Sequence, residues 1–259
     1  MSNSDHEKNR SAWNELVEIH LRHPEYRVKE FLEGQSTLKA LEREELGDVR
    51  GRTLLHLMCQ FGLDTLSWAR EGAIVTGVDI SDRSIAEANV LNATANLQAN
   101  FVRSDVLELR GQIQDRFDIV YQSYGTLCWL SDLKAWAEVV SHYLRPGGTF
   151  LLIDGHPIHD LFVEPGLSYF SRKPEYYRDI PDYCDRTYIR KSESVEWMHT
   201  ISELLTSLIS AGIEIEKFEE YDFSYYGETE KWYKDNGRWY PPSGPSNHPL
   251  MMLVRGTKR

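Results

Sequence analysis

The chain has 259 residues, 41% hydrophobic and 27% charged, with a formal net charge of −11. Such a composition describes a globular chain burying one sizeable core as a single elaborated domain, and excludes a disordered one. No apolar run approaches the roughly 20 residues that cross a bilayer, and the polar start Met1-Ser2-Asn3-Ser4-Asp5-His6 lacks a signal-peptide core, so a cytoplasmic protein without a membrane partner is expected.

The acidic balance disfavours a nucleic-acid partner, which needs a basic face, and favours a small-molecule one. Cys59, Cys128 and Cys184 are far apart in sequence, so neither a disulfide framework nor a thiolate zinc site is indicated.

Residues 1–48 read as a helical preface. Trp13, Leu16, Val17 and His20 recur as on one helix face, while Pro24 and Gly34 divide the segment into two or three short helices. From residue 49 to 154 short apolar strands alternate with amphipathic helices. Strands are expected at 53–57, 73–79, 99–103, 117–121 and 149–153, with helices at 63–70, 82–95 and 133–143 between them. Ser81 is the cap of the second helix, and Arg145-Pro146-Gly147-Gly148 is the turn that stops the third. This alternation predicts a doubly wound α/β fold with a mostly parallel sheet and right-handed crossovers. After Asp154 the rhythm breaks. Residues 155–195 and 224–249 are irregular and aromatic-rich, flanking a helix at 197–211 and a strand at 213–223, and 250–254 forms a final, antiparallel strand. The two irregular segments read either as an inserted lid over an acceptor or as packing at the sheet edge.

Ligands of such sheets bind where loops leave the carboxyl ends of the strands. Asp79 closes the second strand roughly 20 residues past the first loop, where a carboxylate accepts from both hydroxyls of a ribose; its structural alternative is a turn residue before the Ser81 cap. Asp105, after the third strand, can accept from the amine of adenine or cap the next turn. The first loop, Met58-Cys59-Gln60-Phe61-Gly62, offers one glycine, too few for close approach to a pyrophosphate.

The run Leu54-Leu55-His56-Leu57-Met58-Cys59-Gln60-Phe61-Gly62, followed by Gly77-Val78-Asp79, Asp105, Phe117-Asp118-Ile119-Val120 and Arg145-Pro146-Gly147-Gly148, resembles the class I S-adenosylmethionine-dependent methyltransferases over about residues 50 to 155. It is most similar to a bacterial branch whose first loop reads L-H-L-x-C-x-F-G. The resemblance implies a Rossmann-like methyltransferase sheet and S-adenosyl-L-methionine as cofactor. It also implies that Gly62 and its neighbours His56, Met58, Cys59 and Gln60 cradle the methionine portion. Asp79 with Ile80 would hold the ribose and Asp105 with Val106 the adenine, with Gln122 nearby. The common family loop reads D-x-G-x-G-x-G; here His56, Met58 and Gln60 occupy its first three signature positions.

A sulfonium methyl is already activated, so a protein need only align a nucleophile and remove its proton. Candidates for the second task are Tyr124 after the fourth strand, His156 after the fifth and His199 at a helix start. Each has a structural alternative: pocket packing for Tyr124, a turn cap before Pro157 for His156, a helix-start role for His199. His156, His159 and Asp160 are closely spaced, but without a second cluster no metal is expected. The leading reading is methyl transfer to an oxygen or nitrogen of a small molecule. The alternatives are a cofactor-binding protein without transfer and a nicotinamide-dependent oxidoreductase. A homo-oligomer is compatible with the pattern, which does not set its order.

Overall fold

The computed structural model describes residues 4–164, 166–227, 229 and 231–259. Residues 1–3 of the preface and Pro165, Glu228 and Glu230 of the irregular segments lie outside the described residues.

Three helices come first: α1 (Ser4–Arg22), α2 (Val28–Leu32) and α3 (Ala40–Leu46). Pro24 opens a short 3-10 turn between α1 and α2, since its fixed φ and missing N–H suit a helix start and not its continuation. The alternating half follows as β1 (Thr53–Leu57), α4 (Leu63–Arg70), β2 (Ile74–Asp79), α5 (Asp82–Thr94), β3 (Ala99–Arg103), β4 (Phe117–Ser123), α6 (Leu133–Tyr143) and β5 (Leu144–Gly155). Beyond it come α7 (Pro157–Val163) and four short strands, β6 (Glu175–Tyr177), β7 (Ile180–Pro181), β8 (Ile189–Arg190) and β9 (Ser194–Glu196). The chain ends with α8 (Ile201–Ser210), β10 (Ile213–Tyr221), the hairpin β11 (Tyr233–Asp235) and β12 (Arg238–Tyr240), and β13 (Met251–Lys258).

Seven strands form one sheet in the order β10-β13-β5-β4-β1-β2-β3. Its pairs are parallel except those of β13, which runs antiparallel to both β5 and β10. The fold is therefore the doubly wound, mostly parallel sheet with an antiparallel C-terminal strand expected from the sequence. Alternating side chains go to opposite faces, as a pleat requires. Leu55, Leu57, Val120, Phe150 and Leu152 pack with Trp136, Val140, Leu204 and Leu208 of α6 and α8. Leu54, Ile119, Tyr121, Leu151 and Ile153 turn the other way, onto Trp68 of α4 and Leu41 and Leu46 of α3.

Several boundaries differ from expectation. The predicted turn at 145–148 lies inside β5, where Gly147 takes φ 75° and the ladder with β4 shifts register. α8 begins at Ile201, four residues later than read, because the Thr200 hydroxyl accepts from Glu203 N at 3.1 Å and caps it. β13 runs to Lys258 because its second half pairs with both neighbours.

Candidate functional site

The loops leaving β1, β2, β3 and β4 converge on one cavity of about 510 Å³. His56, Met58, Cys59, Gln60, Asp79, Ile80, Asp105, Val106 and Tyr124 lie on its wall. Gly62, Gln122, His156 and His199 do not.

In the first loop, left-handed backbone recurs at every second residue: Met58 at φ 56°, Gln60 at 52° and Gly62 at 78°. These are the positions at which the resembled loop carries glycine, so the turn is kept although two of its glycines are not. Each non-glycine residue there costs about 1–2 kcal/mol. At Gly62 a glycine is required twice over, since a Cβ would come within 2.6 Å of the Phe101 ring. Cys59 N donates to Val78 O at 2.9 Å, holding the loop against β2, and burial pushes the Cys59 thiol well above its ordinary range, away from nucleophilic use.

Asp79 ends β2 and is 9% exposed. Its carboxylate accepts from Gln60 N and from Ser81 N, both at 2.8 Å, so it braces the first loop and the turn into α5. Burial lifts its pKa to about 6 despite those donors. Asp105 caps the 3-10 turn after β3 through Oδ1, which accepts from Leu107 N at 2.9 Å, while Oδ2 meets Nδ1 of His6. Both aspartates therefore play the turn roles weighed against ligand roles and also face the cavity.

His56 is buried in β1 and bonded through Nδ1 to Thr65 Oγ1 at 2.8 Å. Burial drops its pKa to about 4, so the ring is neutral at neutral pH. Gln122 sits beneath the cavity floor, giving its amide to Thr126 Oγ1 at 2.9 Å and receiving Trp136 Nε1–H at 2.9 Å. It supports the floor and does not line the cavity.

Tyr124 also takes a left-handed backbone, at φ 50°. Its hydroxyl donates to Glu42 Oε2 at 2.7 Å. Glu42 is fully buried in α3, where burial and then the nearby Asp64 charge raise its pKa to about 7. His156 caps α7, accepting from Ile158 N at 3.2 Å, and its Nε2 lies 2.9 Å from Glu220 of β10, directed away from the cavity. This is the structural alternative read from the sequence. His199 lies on a smaller adjoining cavity of about 110 Å³ and its Nε2 meets Leu130 O at 2.8 Å.

Two contributions escaped the sequence reading. The N-terminal segment supplies His6, Asn9, Trp13 and Tyr26 to the cavity wall. Asp154, at the end of β5, gathers the loop after β4: its carboxylate accepts from Thr126 N at 2.9 Å, Thr126 Oγ1 at 2.7 Å and Leu127 N at 3.0 Å. The only hint of Asp154 in sequence is its place at a strand end. Of the irregular segments, His159, Asp160, Tyr183, Arg186, Tyr226 and Gly227 reach the wall, whereas Tyr177 turns to Glu164 and Trp232 packs behind His159.

The fold and the comparisons that follow support a class I S-adenosylmethionine-dependent methyltransferase. Residues 54–148 match the family described as a methyltransferase domain. Ubiquinone biosynthesis O-methyltransferase of Saccharophagus degradans is 25% identical over 203 residues, 78% of this chain and 78% of the relative. The protein of that name from Coxiella burnetii is 29% identical over 191 residues, 71% of this chain and 73% of the relative; that from Cronobacter sakazakii is 27% identical over 158 residues, 60% of this chain and 63% of the relative. In fold, the chain is similar to an S-adenosylmethionine-dependent methyltransferase from Clostridium acetobutylicum, with a TM-score of 0.58, 15% identity and coverage of 84% and 88% of the two chains. It is also similar to the glycopeptide N-methyltransferase MtfA, with a TM-score of 0.55, 18% identity and coverage of 85% and 88%. Among the described residues no helix is long and apolar enough to cross a membrane.

Proposed function

We propose that this chain transfers the methyl group of S-adenosylmethionine to a hydroxyl oxygen of a small molecule, both held in the 510 Å³ cavity. The observation that carries the reading is the convergence of Asp79 and Asp105, at the ends of neighbouring parallel strands, on that one cavity. Carboxylates there match what an adenosine offers, hydroxyls to Asp79 and an amine to Asp105, and the volume falls within the 300–1,000 Å³ typical of small-molecule sites. The residues thus fit the cofactor. The Met58–Gly62 loop and neutral His56 would face its amino-acid end, and Ile80 and Val106 would pack against its nucleoside. The cofactor supplies an activated methyl on a sulfonium.

Oxygen is favoured by two things: the relatives are named O-methyltransferases, and the wall holds a proton acceptor suited to a hydroxyl. The Tyr124 hydroxyl, already donating to Glu42, would take the acceptor's proton on Oη as its own passes to Glu42 Oε2. The segments 155–195 and 224–249 would enclose the acceptor with Tyr183 and Tyr226 and exclude water. Calorimetric titration is expected to show binding of S-adenosylmethionine or S-adenosylhomocysteine and none of nicotinamide dinucleotides. Tight dinucleotide binding without binding of either sulfur compound would overturn the reading.

A further inference from the structure

His6 stands in the first turns of α1 and is 4% exposed, against the end of β3 that carries Asp105. Its Nδ1 meets Asp105 Oδ2. Ring and helix are each held further. Trp197 packs edge-on at 5.6 Å between centroids, and three residues along, Asn9 clamps α1 to the backbone of Val195, donating at 2.8 Å and accepting at 2.7 Å. A carboxylate only accepts, so the shared hydrogen resides on Nδ1.

The other ring nitrogen, Nε2, is buried and has no hydrogen-bond partner. A side chain needed only for packing would fill this place without burying an unpaired polar atom. The Nδ1 contact to Asp105 is therefore what a histidine contributes here. With Oδ1 fixed by Leu107 N and Oδ2 by His6, the carboxylate is locked in rotation, and the spare lone pairs are presented from one fixed orientation on the cavity wall.

We propose that His6 is a positioning residue that sets nucleobase selectivity through Asp105: by locking that carboxylate as an acceptor, it selects a 6-aminopurine nucleoside over its 6-oxo counterpart. The inference rests on the placement of the nucleobase at Asp105 given above. An exocyclic amine donates to the locked carboxylate, whereas a carbonyl oxygen in its place meets it lone pair to lone pair. Without His6 only the Leu107 N–H still holds the carboxylate, Oδ2 is no longer fixed, and most of the discrimination is lost.

The test is calorimetric titration of S-adenosylhomocysteine and S-inosylhomocysteine into the parent, His6→Leu and His6→Asn, with thermal melting of each protein alongside. The parent is expected to prefer the adenosyl compound by at least about tenfold, the worth of one hydrogen bond to a charged acceptor. His6→Leu should lose most of that ratio, mainly through weaker adenosyl binding. His6→Asn, whose amide donor falls near the place of Nδ1, should restore it. An unchanged ratio in His6→Leu, or equal losses for both compounds, overturns the inference and leaves the cofactor reading standing. A parent that binds neither compound overturns both.

Discussion

Replacing Asp79 by alanine separates a ligand role from a bracing role, because the two predict different balances of stability and affinity. Lifting the carboxyl from 3.8 to about 6 means that the folded protein disfavours its ionised form by about 3 kcal/mol, even with two backbone donors in place. Alanine relieves that cost and orphans Gln60 N and Ser81 N, at about 1–3 kcal/mol each if no water replaces the carboxylate. The contributions oppose each other, so the ligand-free stability should change by less than about 2 kcal/mol at pH 7.5. Affinity has no such compensation: each ribose hydroxyl lost from a charged acceptor costs about 1.5–3 kcal/mol, a 10- to 150-fold weaker Kd for S-adenosylhomocysteine. The parent's affinity should also fall with acidity. Because the carboxyl is half protonated at about pH 6, Kd should rise about tenfold by pH 5, and the alanine variant should lack that dependence. The stability effect runs the other way. A carboxyl whose pKa is raised by folding binds protons more tightly when folded, so in the ligand-free protein this group adds stability as pH falls from about 7 towards 4. Titration calorimetry at pH 7.5 and 5 with melting curves measures both. Parental affinity in the variant, or a large loss of stability with affinity unchanged, would refute the ribose assignment.

Three further outcomes follow from the same geometry. Gly77→Ala should destabilise by about 1–3 kcal/mol in chemical denaturation, since its Cβ would lie 2.7 Å from the Phe101 ring and 2.8 Å from Cys59 Sγ; parental stability would show that the packing under the first loop is slack. With a phenolic acceptor, turnover should rise with pH through about 7 as Glu42 ionises, and Glu42→Gln should lower kcat and flatten that limb; an unaltered profile would remove the Tyr124–Glu42 pair from proton transfer. Tyr226→Ala or Tyr183→Ala should raise the KM of the acceptor while leaving cofactor affinity within about 0.5 kcal/mol, whereas Tyr177→Ala, directed away from the cavity, should do neither.

What could be read from the sequence divides along a physical line. The strands β1, β2, β4 and β5 announce themselves because both their faces are largely buried, which forces strongly apolar runs such as Thr53–Leu57 and Phe117–Tyr121, whereas β3 at the sheet edge is only partly covered. Asp79 was legible because its offset from the first loop fixes it at the adjacent strand end. The pairing of His6 with Asp105 spans 99 positions and depends on how α1 docks, which no local pattern encodes. His156 displayed its cap role openly, standing directly before a proline at the first position of a helix. The start of α8 was legible too, in Thr200 and Glu203 spaced as a cap and its partner, but the aromatic Trp197 drew the boundary outward.

The departures in the first loop take on meaning against this docking. Met58 and Gln60 hold the left-handed turn without a glycine's freedom, and their side chains do what glycine cannot. Gln60 Nε2 donates to Tyr26 Oη at 2.9 Å and lies 3.1 Å from His20 Nδ1, fastening the loop to α1 and the turn after it. His20 in turn bonds through Nε2 to Asp182 at 3.0 Å, carrying the connection into the first irregular segment. Each bond returns about 0.5–1.5 kcal/mol, comparable with the strain of one left-handed residue. The N-terminal helix therefore touches the cavity at both ends, through Gln60 beside the first strand and through His6 beside the third. In such an arrangement α1 belongs to the cavity wall itself. A loop rich in glycine could shape itself around a ligand unaided, whereas this one takes its shape from α1 and the turn after it.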